Sequence, residues 1–196
     1  MKQYIVALIA VLLFTQGVSA QSIDSFTDPR DGQVYKTITV KGASTGSGVT
    51  WMAENLNYKI QESYAYDYKE SNREGLGLLY TWEAAKNACP KGWHLPTDTE
   101  LSDLVNDFGG PNKAGQALKS AHGWNENGNG TNSSGFNGLP AGFRNENGDY
   151  SPQGCLGGWW SSSPASPGKA WEWNLQFAEV NRFKVFRFDA FVSVGI

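Results

Sequence analysis

The chain has 196 residues, and 16 Lys+Arg against 19 Asp+Glu leave a formal net charge of −3. That balance, with no basic run, excludes the electrostatic footprint of a nucleic-acid binder or of a protein held on an anionic membrane surface. Aromatics at 13% and 23 glycines, with charged residues at only 18%, exclude a disordered linker and point to a compact, loop-rich globular chain.

The first segment reads as a secretory signal peptide over residues 1–20. Lys2 supplies a short basic start, Ile5 to Phe14 is an unbroken apolar run, and Val18-Ser19-Ala20 offers small residues for cleavage after Ala20. The run is too short for a spanning helix, which takes about 20 apolar residues. Gln21, not Cys, follows the cleavage point, so no lipid anchor is expected. The rest reads as a frayed lead-in over 21–27 and one domain over 28–196, with no repeat or linker to divide it.

Gln33 to Val40 alternates and is rich in β-branched residues, which predicts a strand; Gly42 to Gly48 is a turn, and Val49 to Met52 returns as the second strand of a hairpin. Thr81 is placed to cap a helix through Trp82 to Cys89, stopped by Pro90 and Gly92. Thr97 and Glu100 have capping-box spacing, and Leu101, Leu104, Val105 and Phe108 then form one apolar stripe ended by Gly109-Gly110. Ala114, Ala117 and Leu118 suggest a short third helix. Gly, Asn and Ser dominate from Gly123 to Gly138. Short strands are predicted at Gly142–Arg144, Trp159–Ser161, Trp171–Phe177, Arg182–Phe188 and Phe191–Val194. A hairpin, then helices, then loops and strands is an α+β order with an antiparallel sheet.

Five separated segments resemble, in order, the motifs of the Fibrobacter succinogenes major paralogous domain: DPRDGQVYKT (Asp28–Thr37), WMAENLNY (Trp51–Tyr58), LYTWEAAKNACPKGWHLPTDTEL (Leu79–Leu101), GLPAGFR (Gly138–Arg144) and WWSSS (Trp159–Ser163). The family occurs in exported and surface proteins of bacteria. The arrangement also resembles a C-type lectin-like fold, with an antiparallel sheet, two main helices and long loops. The resemblance implies a binding or adhesion module for an extracellular glycan or protein, without catalysis. A structural role in the cell envelope is the first alternative. An enzyme like the formylglycine-generating enzymes, which share that fold and use a reactive cysteine pair, is the second; only Cys89 and Cys155 are present here, and Cys89 ends a helix. The family's terminal strand commonly reads F-S-V-R-C, whereas this chain ends FVSVGI without the Cys, and no acidic calcium-ligand cluster of the sugar-binding lectins is evident.

In an oxidising compartment two thiols can pair, so Cys89 and Cys155 are either a disulfide or two separate thiols. His94, inside GWHLP, reads as a buried structural residue, and a Cys89–His94 nucleophilic pair lacks an orienting partner. Asn125-x-Asn127-x-Asn129-Gly130 resembles a calcium loop, but Phe136 stands where an EF-hand places Glu; Asn and Gly there are better explained as turn residues, as at Asn145 to Asp149. No cofactor or metal is expected. The ligand contact is expected on the strand around Trp171. Alternation places Trp171, Trp173, Leu175 and Phe177 on one face and Glu172, Asn174 and Gln176 on the other, with Asn181, Arg182 and Arg187 as further donors. That contact set is Trp171, Glu172, Trp173, Asn174, Gln176, Asn181 and Arg187, weighed against a core of aromatics with a merely wet polar face.

Overall fold

β-Branched alternation makes a strand of Val34–Lys41, here β2, and both of its faces are covered: Tyr35 and Thr37 are buried on one, Ile38 and Val40 on the other. β3 (Gly48–Met52) returns antiparallel to it, with Trp51 and Met52 buried, as the pattern predicts. The structure, a computed structural model, describes residues 22–41, 48–176, 179–187, 189–192 and 195–196. The signal segment and most of the Gly42–Gly48 turn lie outside the described residues.

The frayed lead-in is corrected. Ser22–Thr27 is strand β1, paired with β2 from Ser22↔Thr39 to Thr27↔Val34. Its short polar sequence has little β propensity of its own, and a full ladder of backbone hydrogen bonds supplies what propensity does not. Phe26 at its end meets Trp93 in a tilted ring contact at 5.2 Å, which joins the three-stranded sheet β1-β2-β3 to the turn after the helix at Trp82–Ala88.

The second sheet has six strands in the order β4-β5-β9-β6-β7-β8. They are β4 (Ser63–Tyr64), β5 (Leu79–Thr81), β6 (Gly157–Ser166), β7 (Lys169–Gln176), β8 (Glu179–Phe186) and β9 (Ala190–Val192). All neighbours are antiparallel except β6 and β9, which run parallel through Trp159↔Val192, so the expected antiparallel sheet is mixed at one seam. Gly142–Arg144 is not a strand; it makes two isolated bridges, Gly142↔Gly157 and Arg144↔Tyr150. Phe177, Phe188, Ser193 and Val194 lie outside the described residues.

After a single turn α1 (Arg73–Leu76), α2 (Trp82–Ala88) starts at Thr81, whose hydroxyl accepts from the Ala84 amide. α3 (Asp98–Asp107) carries the complete capping box between Thr97 and Glu100. Its Leu101, Leu104 and Val105 are buried, while Phe108 caps the helix end half-buried. α4 (Ala114–Leu118) is the short third helix. The fold is thus α+β.

The tryptophans build the interior, and four of the buried indole N–H groups are anchored across the sheet and helices. Trp159 donates to Asn55 Oδ1, Trp160 to the Tyr80 carbonyl, Trp82 to the Ser161 carbonyl and Trp173 to Asp98 Oδ1. One face of β6 and β7 presents Trp159, Trp173 and Leu175 to Leu101 and Leu104 of α3 around a common small cavity. The opposite face is also covered: Trp160 meets Phe191 at 5.0 Å, and Phe191 stacks on Phe143 at 5.3 Å.

Candidate functional site

The strand around Trp171 forms as predicted, but its polar face is not open. Glu172 is 1% exposed and Asn174 4%, and their side chains meet each other at 3.4 Å. Gly158, opposite Asn174 on β6, leaves the space that the Glu172 carboxyl fills; a Cβ there would strike both that carboxyl and the Phe191 ring. The expectation of a solvated polar face is therefore corrected. Alternation assumes one dry and one wet face, and this sheet is packed on both. Burial pushes the Glu172 pKa up to about 8, opposed by Asn174 and reinforced by the charge of Asp189, so the carboxyl is protonated at neutral pH. Among the described residues, Glu172 Oε1 and Asn174 Oδ1 have no hydrogen-bond partner.

The other residues of that set separate. Gln176 and Asn181 are half-buried. Arg187 leaves the group, its guanidinium 4.1 Å over the Trp82 ring. Trp171 is half-buried, and its ring face is occupied by Arg182 at 3.5 Å and approached by Lys184 at 5.0 Å. Arg182 in turn pairs with Asp98 at 2.6 Å, and the same Asp98 accepts from Trp173 at 2.8 Å. The ribbon β7-β8 is thus clamped to the start of α3 by a carboxylate that satisfies both its arginine and its indole.

A second aromatic group forms on the other side of the sheet order, where YAYDY (Tyr64 to Tyr68) follows β4 and faces the loop after Gly142. Tyr66 and Tyr68 each meet the Tyr150 ring edge-on, at 5.1 and 5.2 Å. The Tyr66 hydroxyl donates to the Ser151 carbonyl and the Tyr150 hydroxyl to the Ala65 carbonyl, which stitches the two segments together. Tyr68 is 65% exposed. Asp67 and Tyr68 both sit in the left-handed region, at φ 54° and 55°. For non-glycine residues this stores roughly 1–2 kcal/mol each and turns the Tyr68 ring outward.

Arg144 completes the group. Its guanidinium lies 4.2 Å from the Tyr64 ring centre. Its Nε and Nη2 donate to the Tyr68 hydroxyl at 3.3 and 3.2 Å, and Nη1 to the Asn145 carbonyl at 3.4 Å. Among the described residues no carboxylate pairs with it. Two glycines make the arrangement fit: at Gly142 (φ +72°) a Cβ would press on Tyr66 and Ser151, and at Gly148 (φ +94°) on Arg144 and the Tyr68 hydroxyl. The hairpin that carries Gly148 is the turn predicted at Asn145–Asp149; Asn145 Oδ1 accepts from the amides of Asn147 and Asp149.

The remaining candidates have structural partners. Cys89 and Cys155 are not bonded to each other, so the disulfide alternative is corrected; Cys89 packs under the core, where burial pushes its thiol up to about 12, and Cys155 is exposed beside Asn125. His94 is not buried: its backbone pairs with Ile196 while its ring stands in solvent and meets Glu100 at 3.1 Å. In the Asn-rich loop, Asn129 Oδ1 accepts from the Trp124 amide and Asn132 Oδ1 from the Asn137 amide, and Glu126, Asn127, Asn132 and Asn137 take left-handed φ. These are turn roles. Among the described residues no group of three His, Cys, Asp or Glu side chains is placed to hold a metal ion. Nor is any helix there long and apolar enough to cross a membrane.

A chain of this α+β build, with paired tryptophans at the sheet centre and helix-capping motifs between, falls into a family of bacterial domains. The Fibrobacter succinogenes major domain matches residues 45–192, and the chain belongs to that family. The match begins after β2, so β1 and β2 lie outside it. Comparison with curated proteins finds no match, and comparison with solved structures finds none.

Proposed function

We propose that the protein is an exported binding module of C-type lectin-like arrangement, and that it meets a glycan or protein ligand through the face formed by Tyr64, Tyr68, Tyr150 and Arg144. The single observation that carries the site is Arg144: a guanidinium stacked on one tyrosine, hydrogen-bonded to a second, and, among the described residues, left without a carboxylate beside an exposed ring. Charged groups held in a fixed geometry next to exposed aromatic area are how binding surfaces are composed. Export is supported by the apolar run and small residues before Gln21. The lectin-like arrangement is supported by the two capped helices between the first hairpin and the long loops, and by a chain end that returns to the middle of the molecule, where Gly195 accepts from the Met52 amide and Ile196 pairs with His94.

Two measurements test this reading. N-terminal sequencing of the native protein is expected to begin at or near Gln21, and an intact Met1 in a cytosolic fraction overturns export. A glycan array and a cell-surface pull-down, run on the wild-type chain and on Tyr68→Ala/Arg144→Met, locate the site. Ligands held by the wild type are expected to be lost from the double variant. Retention of all of them with a normal melting curve removes this face.

A further inference from the structure

We infer that the tyrosine–arginine face takes an acidic saccharide, with Arg144 reading a uronic-acid carboxylate and Tyr68 stacking on the sugar ring; this rests on the reading of that face as the contact surface. A guanidinium has five N–H donors in a planar fork suited to a carboxylate. Arg144 uses three of its donors, all at 3.2–3.4 Å and all on neutral oxygens, two of them on the same Tyr68 hydroxyl. A carboxylate would make shorter, charge-assisted bonds in their place. Burial works to lower the Arg144 pKa and the Tyr68 hydroxyl works to raise it, with a net rise, so the cation is permanent.

The rest of the face suits a sugar. Tyr68 offers an exposed ring whose electron-rich face attracts the C–H edge of a pyranose. Asn147 lies exposed on the adjoining hairpin as an amide for sugar hydroxyls. Of the neighbouring carboxylates, Asp67 pairs with Lys69, Asp149 accepts from the Asn145 side chain and Asp189 accepts from the Glu146 amide, while the Glu146 side chain is exposed on the hairpin two residues from Arg144. This acidic surround disfavours a dense run of ligand charge, which points to a uronate with a single carboxylate per sugar and away from a heavily sulfated chain.

The test is titration calorimetry of the full chain with tri-galacturonate and, separately, with the neutral cellotriose. Saturable binding of the uronate alone is expected, weakened at least about tenfold by Arg144→Met and by Tyr68→Ala at unchanged melting temperature, and weakened by added salt. Arg144→Lys keeps the charge without the fork and is expected to fall between wild type and Arg144→Met. Cellotriose bound equally well, in a Tyr68-dependent manner, overturns the acidic ligand while leaving the face as a contact surface. Uronate binding that survives Arg144→Met and Tyr68→Ala overturns both. Absence of any uronate binding overturns the ligand class, and the array on the double variant then decides the face independently.

Discussion

Arg182 and Arg144 are both arginines laid on aromatic rings, yet they differ in what completes them. Arg182, 3.5 Å from the Trp171 centroid, closes on Asp98 at 2.6 Å. Arg144, 4.2 Å from the Tyr64 centroid, donates among the described residues to a phenol and a carbonyl. The first arrangement holds a sheet edge to a helix start and is satisfied. The second holds a cation to which no described carboxylate is paired, beside two residues in strained left-handed backbone. That is the difference expected between a structural clamp, which saturates its charge, and the proposed contact surface, which keeps one for a ligand. In this protein the tryptophan ribbon is the clamp.

The platform under the clamp breaks first. Leu104 of α3 is 3% exposed and lines the cavity shared with Trp159 and Leu175. Leu104→Asp buries an unpaired charge there and is expected to abolish cooperative unfolding altogether, a loss of at least about 4 kcal/mol. Circular dichroism on the purified variant checks it. A normally melting Leu104→Asp would detach the stripe from the core.

Glu172 gives the next largest effect and the clearest pH signature. Burial holds the Glu172 pKa at about 8 in the folded chain, while an unfolded carboxyl releases its proton near the ordinary 4.5. Between those values the folded state binds more protons, so this group's contribution to stability falls as pH rises, by about 1.4 kcal/mol per unit, and is flat outside the window. Glu172→Gln removes the titration while keeping the shape. Its advantage over the wild type is expected to grow from pH 5 to pH 8 to a few kcal/mol, read by urea denaturation at a series of pH values. An advantage independent of pH would place the charge elsewhere.

How far the sequence foretold this molecule depends on the range of the rule involved. The capping box at Thr97 and Glu100, the Thr81 cap and the Asn145 turn are local chemistry, and each stands where its residues predict. β1 escaped notice because Ser, Asp and Thr carry little strand signal and only its partner makes it a strand. Glu172 and Asn174 were misplaced because alternation reports two faces without saying that both are covered. The tyrosine face was hidden for another reason: Arg144 and Tyr68 meet across 76 positions of chain. The one local signal was the period-two spacing of Tyr64, Tyr66 and Tyr68, which resembles an ordinary strand.

Asp98→Ala converts the clamp into a copy of the other site. It strips the counter-charge from Arg182 and the acceptor from the Trp173 indole, with an expected cost of about 2 kcal/mol in melting or denaturant experiments. A loss below a few tenths of a kcal/mol would mean the ribbon is held by its apolar contacts alone.

The smallest effect concerns strain. Asp67 is exposed at φ 54°, and Asp67→Gly is expected to stabilise by up to about 1 kcal/mol while leaving any ligand affinity within about twofold. A loss of stability would show that the ion pair with Lys69 outweighs the backbone cost.

The contrast between the two arginines reduces to one paired measurement: the affinity of the tightest ligand from the array for Tyr68→Ala and for Trp171→Ala, each with its melting temperature. Tyr68→Ala is expected to lose at least about tenfold and Trp171→Ala to stay within about twofold, with both proteins folded. The reverse order, affinity lost with Trp171 and kept without Tyr68, would make the tryptophan ribbon the contact surface and the tyrosine face a surface ornament of the fold.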